Sequence, residues 1–214
     1  MLIVAGTGLF AIFEWNNPAT LGGLDRIPDK LLVSLFQSVT WRTAGFATVN
    51  NALFTQDSQL LGVILMFIGG ASGSTAGGVK VATIGIVFYT VWCVAIGKKK
   101  AVIFRRNISE NSFVRATAVI LVQLSVVLIG ALIVSATAPY TIMDVLYEVI
   151  SAISTVGVST GITPGLNTVA KITLMFLMYF GRVGVLTITY AVTNNLSSET
   201  NANIQYPDAK MPIG

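Results

Sequence analysis

The sequence contains no histidine, a single cysteine and very little charge. Only 10% of its 214 residues are charged, while 54% are hydrophobic, and the mean hydropathy is +0.78. The absence of histidine removes the commonest general base and the commonest metal ligand. Cys93 is the lone cysteine, which excludes a disulfide within the chain, and we interpret it as a lipid-facing or core side chain. A chain this apolar is unlike a water-soluble domain, so the composition indicates a membrane protein.

The formal net charge of +4 comes with a local cluster of basic residues rather than a broad basic surface. Five of the thirteen lysines and arginines lie between positions 98 and 106. A cluster of this kind between apolar segments is typical of a cytoplasmic loop, because cytoplasmic loops carry an excess of lysine and arginine. We therefore predict a cytoplasmic basic loop over 97–113 and no binding of nucleic acid.

Two stretches of the chain are versions of one six-residue motif. TAGFAT begins at Thr43 and TVGVST begins at Thr155, which puts the two copies 112 residues apart (155 − 43). The same offset relates LMFIG at 65–69 to LMYFG at 177–181. Repeated Thr-x-Gly loops in a membrane protein are typical of an ion selectivity filter, which is built by symmetry from equivalent backbone loops. The alternative is an ordinary turn. The predicted filter residues, whose backbone carbonyls would bind a dehydrated K⁺, are Thr43, Ala44, Gly45, Phe46, Thr155, Val156, Gly157 and Val158.

Each motif follows an apolar segment that is too short to cross a bilayer. Segments 29–41 and 141–154 hold 13 and 14 residues, whereas a membrane-spanning helix needs about 20. We therefore predict two re-entrant helices, each leading directly into a filter loop. The helix macrodipole would then direct a partially negative C-terminus toward the cation.

Longer apolar segments flank these units, and the chain opens inside one of them. We interpret 2–13 as the end of a helix that begins before the first residue, although a short helix at a true start is the alternative. Two spans per repeat is an even number, so the two copies should share one orientation, with both filter loops outside. The predicted organisation is a first membrane–pore-loop–membrane repeat over 1–96, the basic loop 97–113, a second repeat over 114–193 and a cytoplasmic tail over 194–214.

The apolar run 60–96 is interrupted at its centre by glycine. Its 37 residues (96 − 60 + 1) would form a helix about 55 Å long, nearly twice the hydrocarbon thickness of a bilayer. Positions 69–78 carry five glycines in ten residues. Non-helical backbone at membrane depth is tolerated only inside protein or beside a watery cavity. We therefore predict an intramembrane loop between two shorter helices.

Other interpretations of this glycine-rich stretch rest on shorter motifs. Gly73 and Gly77 have the spacing by which membrane helices pack closely. A phosphate-binding loop is excluded, because Val79 intervenes before Lys80. Ser72 lies in a Gly-Ala-Ser-Gly context similar to that of intramembrane serine proteases, but such a serine needs a histidine base. An intramembrane serine hydrolase is therefore the weaker alternative to an ion pathway, and an alternating-access cation carrier is another.

Together, the two Thr-x-Gly loops, the glycine-rich break and Arg182 in the last span resemble the Trk/Ktr/HKT superfamily of potassium transporters, most closely the KtrB type. That family carries four such repeats in one polypeptide. The resemblance implies an all-α membrane protein that forms the C-terminal half of a pseudo-fourfold, K⁺ channel-like pore in the cell membrane. It further implies Na⁺-stimulated K⁺ uptake, a homodimer and a cytoplasmic nucleotide-binding ring of the KtrA type. Serine in place of the filter glycine is associated with Na⁺ in this superfamily, so Gly45 and Gly157 favour K⁺.

The resemblance also implies a gate in the glycine-rich stretch under the filter. Arg182 is expected at mid-membrane, where a charge is costly and by default functional. By the repeat offset it corresponds to position 70 (182 − 112), so we predict that its guanidinium holds carbonyls of that stretch. The alternative is a purely structural arginine. The predicted gate residues are Gly69, Gly70, Ala71, Ser72, Gly73, Ser74, Thr75, Ala76, Gly77, Gly78 and Arg182.

Three further charged residues lie near the predicted filter. Arg42 precedes the first loop and is expected either to complement the dipole of its helix or to hold the filter. Asp144 and Glu148 are expected at the start of the second re-entrant helix, where acidic residues suit the N-terminus. We interpret both as structural residues that attract cations weakly.

Overall fold

The computed structural model describes residues 1–74, 76–98, 102–103 and 106–183. These residues are mainly helical, with one two-stranded ladder. The predicted gate residue Thr75, part of the basic cluster, the end of the second repeat (184–193) and the tail 194–214 lie outside the described residues. The helices are α1 Leu2–Glu14, α2 Ile27–Thr40, α3 Gln56–Phe67, α4 Val81–Ala95, α5 Glu110–Thr137, α6 Ile142–Ile153 and α7 Thr168–Val183.

The internal repeat extends from the sequence to the backbone. Helices α3 and α7 begin 112 residues apart (168 − 56), and short 3₁₀ turns at Asn51–Leu53 and Thr163–Gly165 keep the same offset. The residues that cap these helices are equivalent as well. Thr55 Oγ1 accepts a hydrogen bond from the Ser58 amide, and Asn167 Oδ1 accepts one from the Ala170 amide at 2.8 Å. Each copy therefore runs from a first helix through a short helix, a loop and a 3₁₀ turn to a last helix.

Helix α5 is the described helix that is long and apolar enough to cross a membrane. Residues Asn111–Thr137 have a mean hydropathy of 2.7, and little of this stretch is buried inside the chain. The helix begins at Glu110, four residues before the expected start at position 114, because Ser109 caps it by accepting a bond from the Ser112 amide at 3.2 Å. The shorter apolar helices α1 and α4 accompany it.

The basic loop contains a feature that the sequence did not indicate. Val102–Ile103 and Arg106–Asn107 form an antiparallel ladder of two residues a side. Tyr89 of α4 donates a hydrogen bond from its hydroxyl to the Val102 carbonyl at 2.7 Å. The start of the ladder is thus attached to the end of the first repeat.

The buried core joins the two repeats through aromatic side chains. Phe10, Trp41 and Phe54 meet edge to face, with ring centroids 5.3 to 6.1 Å apart. Pairs of this geometry stabilise by about 0.5–1.5 kcal/mol beyond the burial of their area. The Trp41 indole donates a hydrogen bond from Nε1 to the Tyr147 hydroxyl oxygen at 2.8 Å, and both side chains are fully buried. Trp41 follows α2 and Tyr147 lies in α6, so this bond connects the short helices of the two copies.

Candidate ion-conduction site

The two Thr-x-Gly loops leave the C-terminal ends of α2 and α6. We name residues 43–48 loop 1 and residues 155–160 loop 2. The Ala44 amide of loop 1 donates to the Thr40 carbonyl at 3.2 Å, and the Val156 amide of loop 2 donates to the Ser151 carbonyl at 2.9 Å. Each loop therefore turns back over the last turn of its own helix. The partially negative ends of both helices lie beside the loops, an arrangement that favours a cation.

Both loops have the same unusual backbone. Thr43 and Gly45 have φ of +72° and +79°, and Thr155 and Gly157 have φ of +56° and +87°. A β-branched residue with positive φ is uncommon, because its side chain crowds the backbone. Glycine adopts the same region without that cost. The pattern recurs at the 112-residue offset, so the two loops are equivalent in backbone conformation as well as in sequence.

The last carbonyl of each predicted filter set bonds to its own helix. The Thr40 hydroxyl of α2 donates to the Phe46 carbonyl. The Ser151 hydroxyl of α6 donates to the Val158 carbonyl at 2.5 Å. These two carbonyls are therefore engaged behind the loops. The left-handed residues of each set, Thr43 with Gly45 and Thr155 with Gly157, precede them.

The two loops approach each other at Gly45. A Cβ atom at Gly45 would overlap the carbonyl oxygen of Val156. At Gly157 a Cβ would meet no described atom within 4 Å. Gly45 is thus required both by its backbone conformation and by the close approach of loop 2. Gly157 is required by its backbone conformation, since no described atom crowds it.

The glycine-rich stretch is an open loop whose ends are joined. The Gly69 amide donates to the Val79 carbonyl at 2.9 Å, and the Val79 amide donates to the Phe67 carbonyl at 3.1 Å. Helices α3 and α4 therefore do not form one continuous helix. Position 77 lies against the start of loop 2, where the Gly77 amide donates to Thr155 Oγ1 at 2.9 Å. A Cβ at Gly77 would lie 2.7 Å from that oxygen, so only glycine fits this contact.

Lys80, directly before α4, contacts the glycine-rich loop with its positive charge. Its ammonium donates to the Ser74 carbonyl at 2.9 Å and also to the Ala76 carbonyl. We expected a contact of this kind from Arg182, and Lys80 entered only in excluding a phosphate-binding loop. The signal that points to Lys80 is its charge within the apolar run 60–96, because an ionisable residue at membrane depth is functional by default.

Arg182 lies in the last turn of α7. The preceding residue, Gly181, packs so closely on the end of α6 that a Cβ there would overlap the Ile153 carbonyl oxygen. Arg182 is therefore close to the level at which α6 passes into loop 2, and its side chain is exposed in the described chain. Its action on the glycine-rich loop stays a prediction.

The remaining charged residues differ in their surroundings. Arg42 is half-buried, and its Nε has no hydrogen-bond partner among the described residues. Asp144 forms an N-terminal cap with Thr141, whose hydroxyl donates to the carboxylate at 2.6 Å. Glu148 was expected at the start of its helix, but it lies in the second half of α6 and is only 5% exposed.

The Glu148 carboxylate accepts hydrogen bonds from the residues that follow the second filter set. Oε1 accepts from the Ser159 hydroxyl and from the Thr160 amide at 3.1 Å. Oε2 accepts from the Thr163 hydroxyl at 3.1 Å. A cavity of about 430 Å³ opens beside this cluster, and its lining includes Thr155 and Gly157 of loop 2. The helical period puts Asp144 and Glu148 on one face of α6, so it does not distinguish the capping residue from the residue that bonds the loop.

Comparison with known proteins gives one consistent family. The model of the TrkH family, described as a cation transport protein, matches residues 6–204. The chain is 37% identical to Ktr system potassium uptake protein B of Bacillus subtilis, over 95% of this chain and 44% of that protein. It is 36% identical to potassium/sodium uptake protein NtpJ of Enterococcus hirae, over 100% of this chain and 48% of that protein. The chain therefore spans less than half the length of these two relatives.

The fold has a match among solved structures. The crystal structure of the potassium transporter TrkH from Vibrio parahaemolyticus matches with a TM-score of 0.70 and 21% sequence identity, over 91% of this chain and 43% of that one. This likeness confirms the expected helical membrane fold. The family is one of transporters rather than enzymes, so Ser72 is not assigned a catalytic role. On the family match and the identity to its relatives, the chain belongs to the TrkH family of cation transport proteins.

Proposed function

We propose that this chain forms the C-terminal half of a potassium-selective pore in the cell membrane. The observation that carries the proposal is the paired backbone of the two loops, with left-handed residues at 43, 45, 155 and 157. Both loops lie at the C-terminal ends of short helices, as expected for a site that binds a dehydrated cation. The names of the relatives, which describe potassium and potassium/sodium uptake, support K⁺ as the transported ion and Na⁺ as a second ion. The other two loops would come from the N-terminal half of the same pore.

The ion contacts would come from three carbonyls in each loop. The carbonyls of Phe46 and Val158 already accept bonds from helix hydroxyls. Those of residues 43–45 and 155–157 lie in stretches whose first and third residues have left-handed backbone, which departs from helix and strand geometry. Rings of such carbonyls replace the water shell of K⁺ in selectivity filters. The test is Rb⁺ uptake by the whole pore protein in proteoliposomes, with Na⁺ as competitor; saturable slow flux would instead indicate an alternating-access carrier.

The glycine-rich loop would act as the gate. It touches loop 2 through the bond from Gly77 to Thr155, and its residues 71–74 are exposed. A segment of this kind can exchange between conformations that differ by a few kcal/mol. Lys80 would favour the closed conformation by binding the carbonyls of Ser74 and Ala76.

Replacing Lys80 by methionine should therefore raise ion flux. The change removes a charge-assisted interaction while keeping an unbranched side chain, and the expected increase in Rb⁺ uptake is a few-fold to about tenfold. Lys171→Met is the matched control, because Lys171 also donates to a loop carbonyl, that of Pro164, in the second repeat and away from the gate. Uptake equal to wild type in Lys80→Met would remove Lys80 from the gate.

Arg182 is proposed to act on the same loop, at the position equivalent to residue 70. If so, Arg182→Ala should change flux in the same direction as a shortened glycine-rich loop. The two changes should also be non-additive, by about 0.5–3 kcal/mol in the free energy obtained from the transport rates. A double-mutant cycle with membrane protein levels measured for each variant tests this; strict additivity would assign Arg182 to another role.

The membrane topology is proposed from the basic loop, and the assembly from the family resemblance and the relatives. The basic loop 97–113 and the tail 194–214 would be cytoplasmic, with the filter loops outside. The relative from Bacillus subtilis is named as protein B of a Ktr system, which supports a complex of more than one component. We propose a membrane homodimer with a cytoplasmic nucleotide-binding ring of the KtrA type and uptake stimulated by Na⁺. Copurification with such a ring, and its loss when the basic loop is neutralised, would test the assembly.

A further inference from the structure

We propose that a belt of hydrogen bonds behind the filter joins the two repeats, and that Glu148 is the positioning residue that sets loop 2 in its ion-binding conformation. The proposal rests on the pore function proposed above and adds a determinant of ion selectivity to it. We define the belt as Gln37, Asn51, Ser159, Glu148 and Thr163.

The Glu148 carboxylate accepts three hydrogen bonds from the segment that follows the filter set. Its three donors are neutral groups of one segment, the Ser159 hydroxyl, the Thr160 amide and the Thr163 hydroxyl. An ionised carboxylate only accepts hydrogen bonds, so each donor must be directed at it. Bonds to a charged acceptor are also stronger than neutral ones. Because Ser159 and Thr160 directly follow the filter set, Glu148 determines where loop 2 leaves the filter.

The belt also connects loop 2 to the first repeat. The Asn51 side-chain amide donates from Nδ2 to the Ser159 carbonyl, and Gln37 of α2 donates from Nε2 to Asn51 Oδ1, each at 3.4 Å. Gln37 is fully buried and Asn51 is 3% exposed. Polar side chains buried to this extent are normally retained for their hydrogen bonds. The chain of bonds therefore runs from α2 of one repeat to α6 of the other.

Equivalent positions of the two repeats make different hydrogen bonds in the belt. Asn51 and Thr163 are 112 residues apart (163 − 51) and each begins a 3₁₀ turn. Asn51 bonds the Ser159 carbonyl, and Thr163 bonds the Glu148 carboxylate. The position equivalent to Glu148 in the first repeat is Phe36 (148 − 112), which has no hydrogen-bonding group. One carboxylate therefore serves both copies, acting directly on loop 2 and through Ser159 and Asn51 on the segment after loop 1.

A second contact supports the same connection. Tyr147, the neighbour of Glu148 in α6, accepts the buried hydrogen bond from Trp41 at 2.8 Å. Trp41 follows α2, and one residue separates it from loop 1. The two repeats are thus bonded both before loop 1, by Trp41 and Tyr147, and near the end of loop 2, by Asn51 and Ser159. A displacement of one loop would be transmitted to the other through buried polar contacts, which have few alternative partners.

The test is the ratio of K⁺ to Na⁺ affinity in the whole pore protein. Glu148→Gln keeps the shape of the side chain but replaces one acceptor oxygen by a donor, so at least one loop donor loses its partner. We expect the preference for K⁺ over Na⁺ to fall by about tenfold, at a normal level of protein in the membrane. Asp144→Asn is the matched control, one helical turn earlier in α6 and bonded to Thr141 rather than to the loop. It should leave the preference unchanged.

Thr163→Val keeps the test decisive if Glu148→Gln does not reach the membrane. It removes one of the three donors with almost no change in shape, and a smaller loss of preference, about threefold, is expected. An unchanged ratio in a membrane-inserted Glu148→Gln or Thr163→Val overturns the belt. An equal loss of affinity for both ions would overturn it too, because that result indicates direct attraction of cations by the charge. A wild-type protein without any preference for K⁺ would overturn the pore proposal itself, and the belt with it.

Discussion

Replacing Gly45 by serine is expected to remove most of the preference of the pore for K⁺ over Na⁺. Gly45 has a φ of +79°, and a Cβ there would overlap the carbonyl oxygen of Val156 in loop 2. A side chain therefore strains its own backbone and pushes apart two loops that would have to contribute carbonyls to one ion. A left-handed non-glycine residue alone costs about 1–3 kcal/mol, which corresponds to a change in ion affinity of about fivefold or more.

The corresponding change at Gly157 should act in the same direction with a smaller effect. Its φ of +87° also disfavours a side chain, but a Cβ would meet no described atom within 4 Å. Gly97→Ser is the matched control, because Gly97 has a similar φ of +76° and an open surrounding but lies in the basic loop. The measurement is Rb⁺ uptake with competing Na⁺. Unchanged selectivity in both filter variants would contradict the assignment of the two loops.

Shortening the glycine-rich loop should raise ion flux, because the loop is proposed to obstruct the pathway. The Gly69 amide bonds the Val79 carbonyl at the base of the loop. Deletion of residues 71–76 removes the carbonyls that Lys80 binds, and it leaves Gly69 and Val79 in place at the base of the loop. An increase in Rb⁺ uptake of about tenfold or more is expected if the closed conformation dominates in the intact protein.

Ser72→Ala is the control for this deletion. Ser72 is exposed within the loop, and the change keeps the loop length and the backbone contacts. Flux should match the intact protein in Ser72→Ala and exceed it in the deletion variant. A deletion variant with normal membrane levels and no flux would identify the stretch as a packing element, as the spacing of Gly73 and Gly77 alone suggests.

The sequence predicted the architecture well wherever length and local chemistry decide it. Segments of 13 and 14 residues cannot span a bilayer, and the structure has short helices there, α2 Ile27–Thr40 and α6 Ile142–Ile153. Five glycines in ten residues predicted a break in the run 60–96, and α3 ends at Phe67 before α4 begins at Val81. The start of α5 was placed four residues late, because the cap at Ser109 outweighs the change in hydropathy.

The contacts of the site were harder to predict, since they depend on how distant segments return to each other. Glu148 and Asp144 are one helical turn apart and were given one role, but Asp144 caps α6 whereas Glu148 faces the loop after the filter. Lys80 was disregarded because it fits no phosphate-binding motif, although the folded loop brings two carbonyls to its ammonium. The bond between Trp41 and Tyr147 joins residues 106 apart in the chain, which no local pattern indicates.

The central claim is that K⁺ is bound by the backbone carbonyls of the two loops. The direct measurement is a structure of the whole pore protein in Rb⁺, with the ion located by its anomalous scattering. The account predicts an Rb⁺ peak within coordination distance of carbonyls from residues 43–45 and 155–157, and weakening of that peak in Gly45→Ser. An ion bound instead at the Glu148 carboxylate, or no ion between the two loops in a protein that transports Rb⁺, would contradict it.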